Sequence, residues 1–270
     1  MNPTTMEWIN LALRWFHVFA GILWVGQTFF FAWLDGRLTE EEAAAKEGRK
    51  PQVWMVHSGG FYVVEKQKGV ELQPRTLYWF KWEAAFTWLS GILLLGLIYH
   101  MGGLMVEPDS SISVGRAAGI GTVAIILGWV IYDLLWISPL GKSELLGVAI
   151  CYGLLVALAY GLTQVMSGRA AYMHVGAVLG TIMTANVWMR IIPGQRRMVA
   201  AAKEGRVPDL ALAARAKQRS RHNTFMVFPV VAIMISNHFP VATYGNSNNW
   251  LVLAALVLIG WAAAFLIRRL

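Results

Sequence analysis

Seven stretches of this chain are apolar for long enough to cross a lipid bilayer as helices, which constrains the fold more than any motif does. An α-helix rises about 1.5 Å per residue, so about 20 apolar residues span the hydrocarbon core. The runs lie at about 8–34, 78–100, 116–137, 144–166, 169–191, 223–239 and 249–268. Backbone N–H and C=O groups find no water in lipid, so each run must satisfy its own as a helix. The expected fold is an all-α integral membrane bundle of about seven transmembrane helices. The sixth run is short and carries Pro229 near its middle, which predicts a kink whose freed carbonyl a neighbouring helix satisfies. Only 14% of residues are charged, against roughly 25% in soluble domains. The N-terminus lacks the basic flank and small-residue cleavage site of a signal peptide, so the first run is expected to remain as a helix.

Loop charge sets the expected orientation. Arg37, Lys46, Arg49, Lys50, Lys66, Lys68 and Arg75 follow the first run. Arg196, Arg197, Lys203, Arg206, Arg215, Lys217, Arg219 and Arg221 follow the fifth, and Arg268 and Arg269 follow the seventh. The alternate loops carry Glu107 and Asp109 in 101–115 and no charge in 240–248. Cytoplasmic loops concentrate Lys and Arg, which puts the N-terminus outside and the C-terminus inside. The net charge of +8 therefore tracks topology, and a nucleic-acid partner is not expected. The chain reads as one transmembrane domain over 1–270, with inner loops at 35–77 and 192–222. Within the first loop, VWMVHSGGFYVVE holds two short β-prone runs around Ser58-Gly59-Gly60, which predicts a small cytoplasmic hairpin. Residues 196–220 read as a basic helix lying along the membrane surface.

The chemistry resides in six histidines. In the expected topology His17 (first run) and His174 (fifth) lie just outward of mid-membrane, at matching depth. His100 and His238 lie at the outer ends of the second and sixth runs; His57 and His222 lie on the inner side. WFHVFAG and YMHVGAV share His-Val-x-Ala, a weak internal repeat. Paired imidazoles at one depth suit haem iron, and small residues nearby (Ala20, Gly21, Gly176, Ala177, Gly180) let a porphyrin approach the backbone. Arg14, one turn outward of His17, suits a propionate. The other readings of these histidines are copper or another metal, and plain helix–helix hydrogen bonding. His100 and His238 would serve a second haem or pair with each other. Asp133, towards the inner side of the third run, reads either as a proton route or substrate contact, or as a clip to Tyr132 or a threonine. Asn223 and Asn237 adjoin His222 and His238 and are expected to orient them. The single cysteine, Cys151, excludes an internal disulfide, and no C-x-x-C-H motif for covalent c-type haem is present.

RWFHVFAGILWVG in the first run, HSGGFYVVEK in the inner loop and RHNTFMVFPVVAIMISNHFP in the sixth run together resemble the N-terminal membrane domain of the bacterial cytochrome-c-linked urate oxidase (urate hydroxylase) family. The resemblance covers nearly the whole chain. It implies a multi-pass protein of the bacterial inner (cytoplasmic) membrane, acting in purine catabolism as an oxidoreductase. It further implies one or two haems b and electron transport to a c-type cytochrome. Long members carry that cytochrome as a C-terminal domain beyond an eighth helix. This sequence departs from them in stopping after its seventh run, so a separate cytochrome c or cytochrome c subunit is the expected partner. On this reading substrate binds on the inner side, near His57, Ser58, Gly59 and Gly60, with His222 and Asp133 completing the catalytic set. Two other readings stand beside it: a haem-bearing anchor relaying electrons for a larger membrane complex, and a proton- or metal-coupled transporter.

Overall fold

The computed structural model describes residues 2–44, 50–67 and 77–267; Lys46, Arg49, Lys68, Arg75, Arg268 and Arg269 of the orientation argument lie outside them. The described chain is mostly helical: α1 (Pro3–Ala44), α2 (Trp82–Leu95), α3 (Val114–Ile137), α4 (Glu144–Thr163), α5 (Gly168–Ala185), α6 (Ile192–Lys203), α7 (Leu210–Ile235) and α8 (Asn249–Ile267). Strands β1 (Gln52–His57) and β2 (Gly60–Glu65) form an antiparallel pair. Side-chain caps start several helices. Ser113, Ser143, Ser167 and Asp209 each accept a hydrogen bond from a backbone N–H in the first turn of α3, α4, α5 and α7.

Among the described residues six helices are long and apolar enough to cross a membrane. All six match expected runs, one of them, Gly168–Lys203, being α5 continued through the next turn by α6. The remaining run, 223–239, is the apolar end of α7, whose first half carries Arg215, Lys217, Arg219 and Arg221. The helix continues through Pro229, whose ring packs on α8 at Gly260. A Cβ on Gly260 would come 2.7 Å from Pro229 Cδ, so glycine is what allows the two helices to meet there.

The inner loops are shorter than the sequence implied. Helix α1 runs on to Ala44 through a glutamate- and alanine-rich stretch of high helical propensity. The segment 192–222 is also largely helical, leaving 204–209 as the connection, with Gly205 at φ +68° closing α6. The helix expected over 196–220 forms, as two helices and not one. Its first part extends α5 and its second part is continuous with the apolar end of α7.

The hairpin forms where expected. Ser58 (φ 50°) and Gly59 (φ 76°) both take positive φ, the requirement of a tight two-residue hairpin turn. Val53 packs on Leu34 and Leu38 of the α1 extension. Asp35 of α1 meets Lys66, just beyond β2, and Lys217 of α7, each at 2.7 Å. At the open end of the hairpin the Gln52 amide and the Lys50 ammonium beside Glu65 hold its carboxyl below the usual range.

Helix α5 is the centre of the packing. An unbroken run from Ala170 to Gly176 is buried, followed by Val178, Leu179, Ile182, Met183 and Thr184. It touches α2, α3, α4 and α7. Small residues make this possible: Gly128 of α3 admits Val178, and Gly176 admits Ile233 and Met234 of α7. Buried polar groups also bond across helices, as in Tyr172 OH to Asn249 O at 2.6 Å. The outward faces carry large apolar side chains, among them Trp15, Phe19 and Ile22 of α1.

Candidate functional site

Among the described residues two clusters of polar groups stand near opposite ends of the bundle, and each contains a π-helical turn. Such turns insert an extra residue into a helix and recur at functional sites. Gly96–His100 continues α2 at the end opposite the basic loops, and Asn186–Ile191 joins α5 to α6 near the basic end.

The first cluster centres on His174. Its imidazole is fully buried, and Nδ1 lies 2.8 Å from Ala170 O one turn back. A carbonyl only accepts, so Nδ1 carries the proton and Nε2 is left with its lone pair. Nε2 is buried without a hydrogen-bond partner, and so is Nε2 of His100. The two rings lie 5.9 Å apart between centroids and are 17° from parallel. Tyr99 presents its edge to His174 at 6.3 Å. The close approach of α3 depends on Gly121, where a Cβ would fall 2.6 Å from His174 Nε2 and 3.1 Å from Met166 Cε. Two buried imidazole nitrogens without partners thus lie in one cluster, which the α3 backbone closes at Gly121.

The expected partner of His174 stands elsewhere. His17 Nδ1 lies 3.0 Å from both Thr87 O and Ser90 Oγ of α2, with Gly91 opening the space for its ring. The imidazole that meets His174 is that of His100. Arg14 bonds Asn10 on its own helix at 2.7 Å and is exposed. His238 is exposed at the end of the short turn after α7. Asn237 does not orient it: the amide oxygen accepts from Arg169 Nε at 2.8 Å, and the amide nitrogen donates towards Met173 and Met234.

The second cluster ties α3, α5, its π-helical turn and α7 together. Tyr132 OH and His222 Nδ1 are 2.7 Å apart. The Asn186 amide donates to Tyr132 OH at 3.1 Å and to Asn223 Oδ1 at 2.9 Å. Asn223 in turn donates to Met183 O at 2.9 Å, so it serves Asn186 and the α5 backbone and not its neighbour His222. The His222 ring sits 4.2 Å from Trp136, and its Nε2 is buried without a partner. Asp133 is clamped by two guanidiniums, Arg190 (Nε to Oδ1 at 2.9 Å) and Arg219 (Nη2 to Oδ1 at 2.8 Å). The Arg219 guanidinium also lies 4.9 Å over the Tyr132 ring. The clip expected for Asp133 is thus an ion-pair triad and not a bond to Tyr132 or a threonine. A buried charge is tolerable here because both carboxylate oxygens meet cations.

His57 stands at the turn of the exposed hairpin, paired with Gly60 across the strands. The structure thus brings His222 and Asp133 into one cluster and leaves His57 outside it. Sequence reading missed Tyr132, Asn186, Arg190 and Arg219 as a group. Three helices contribute them, and no local motif joins positions so far apart.

The model of the Urate oxidase N-terminal family matches the chain over residues 3–269. No curated protein and no solved structure matches it.

Proposed function

The chain belongs to the Urate oxidase N-terminal family, and from that premise we propose that it is a membrane oxidoreductase of urate or a closely similar small heterocycle, sending electrons through haem b to a c-type cytochrome. The match over nearly all of the chain is the observation that carries this reading. The six long apolar helices support a multi-pass protein of the bacterial inner membrane. The distribution of Lys and Arg supports an N-terminus outside and a C-terminus inside.

His174 and His100 are the residues we assign to the haem iron, with His17 and His238 the remaining candidates. Bound there, haem supplies a one-electron carrier between substrate and external acceptor. The protein's part is orientation. The Ala170 carbonyl fixes the His174 tautomer and keeps Nε2 a ligand and not a donor. Burial of both Nε2 atoms keeps water from competing for them. Arg169, held by Asn237 close to Tyr99, would serve a propionate alongside the more exposed Arg14, which bonds Asn10 on its own helix. At the other end His222, bonded to Tyr132 through Nδ1 and packed on Trp136, would orient the cluster around Asp133 beside which substrate binds.

A reduced-minus-oxidised visible spectrum of the purified protein tests the reading, with His100→Ala, His174→Ala and His17→Ala beside it. A b-type signal lost in the first two and retained in the third is the expected result. A colourless wild type isolated with ample haem supply removes the haem assignment. Turnover of urate with an artificial acceptor separates a catalytic chain from an electron-relay subunit.

A further inference from the structure

A cleft of about 290 Å³ opens beside the Asp133 triad, at the end of the bundle that carries the basic loops. Its walls come from α3, the turn after it, the π-helical turn, α6 and α7. Five cations line it, Lys142, Arg190, Arg197, Arg215 and Arg219, and none of the lining residues is acidic. Asp133 neutralises one charge of the Arg190–Arg219 pair, which leaves the cleft strongly positive. The base of the cleft is built and not merely decorated. Arg219 is 4% exposed and fixed by Asp133, yet its Nη1 is buried without a hydrogen-bond partner. A buried guanidinium with an unused donor is costly unless an acceptor arrives. The Trp136 indole supplies a flat apolar wall on the α3 side.

We propose that this cleft is the substrate site of the chain, and that it binds a small planar heterocyclic monoanion of the urate type. Arg219 Nη1 donates to a ring carbonyl or ring nitrogen of the anion, Trp136 lies against its face, and Arg197 and Arg215 at the mouth draw it in. The inference rests on the oxidoreductase reading above and adds to it the place and the recognising groups. It also moves the site away from the hairpin of His57. His222, which touches Trp136 and bonds Tyr132, stands behind the cleft wall as a positioning residue.

The test is equilibrium dialysis of radiolabelled urate against the full chain in detergent, with inorganic phosphate and the neutral purine caffeine as competitors. Three variants run beside the wild type: Arg219→Gln, the double variant Arg197→Gln/Arg215→Gln, and Gly194→Met. At Gly194 a Cβ meets only Leu212, at 3.9 Å, so the longer side chain grows into the cleft without altering charge. The expected result is urate binding weakened about tenfold or more by Arg219→Gln, as loss of a charge-assisted hydrogen bond implies. Binding should also be weakened by the double variant and abolished by Gly194→Met, with no competition from caffeine. Phosphate displacing urate as well as urate itself does would overturn the planar-anion assignment. Urate binding unchanged in the double variant and in Gly194→Met would overturn the site, even if Arg219→Gln failed to fold. The two readings separate cleanly. Urate bound but never oxidised sinks the oxidase reading alone, whereas urate oxidised with an unchanged KM in all cleft variants sinks the cleft alone.

Discussion

Glycine 121 and aspartate 133 show how single residues set the two clusters. At Gly121 the His174 ring occupies the space that any Cβ would need. Gly121→Val should displace that ring, destabilise the bundle by about 1–3 kcal/mol, and shift or abolish any b-type spectrum. Gly119, two residues earlier, has open space around it, so Gly119→Ala should leave melting temperature and spectrum unchanged. A thermal melt in detergent followed by spectroscopy checks both. Asp133→Asn acts by a different route, because it leaves the buried Arg219 and the partly exposed Arg190 facing each other without their carboxylate. Removing one partner of a buried ion pair costs about 3–5 kcal/mol. Denaturant unfolding of the variant should show a loss of that size, well above what a surface substitution gives.

Helices and strands here are held by junctions more than by their own propensities. The hairpin turn needs positive φ at Ser58 and Gly59. Gly59→Val places a β-branched residue in the left-handed region at a cost of about 1–3 kcal/mol, whereas Ser58→Gly relieves a small penalty. Limited proteolysis should therefore cut between β1 and β2 faster in Gly59→Val and no faster in Ser58→Gly. Cleavage at equal rates in all three proteins would mean that the turn does not govern hairpin stability. The hairpin motif and its turn residues were legible in the sequence because strand, turn and strand are contiguous. The lengths of α1, α6 and α7 were not. Apolar runs mark where lipid would be, but helices continue past it wherever propensity and packing allow, as in the stretch up to Ala44.

At the scale of the whole molecule, α5 is wrapped by four other helices while α1 turns Trp15, Phe19 and Ile22 outward. That outward apolar surface suits a bilayer, and the proposed orientation makes a labelling prediction. In a Cys151→Ala background, Glu107→Cys should react with a membrane-impermeant maleimide added to intact cells, and Lys203→Cys should react only after lysis. The reverse labelling pattern would invert the topology.

Sequence by itself determined the class of the protein: long apolar runs and three ordered motifs led to a mostly helical fold with several apolar helices and to its family. It also singled out candidates for chemistry, since histidines and an aspartate within apolar runs stand out by their cost. Tertiary structure alone decided their partners. Helical periodicity fixes depth along a segment but not which neighbour a side chain meets. The rotation and neighbours of each helix are set by where small residues such as Gly121 and Gly128 let backbones close. That is why His100 rather than His17 lies beside His174, and why Asp133 meets Arg190 and Arg219 from two other helical segments.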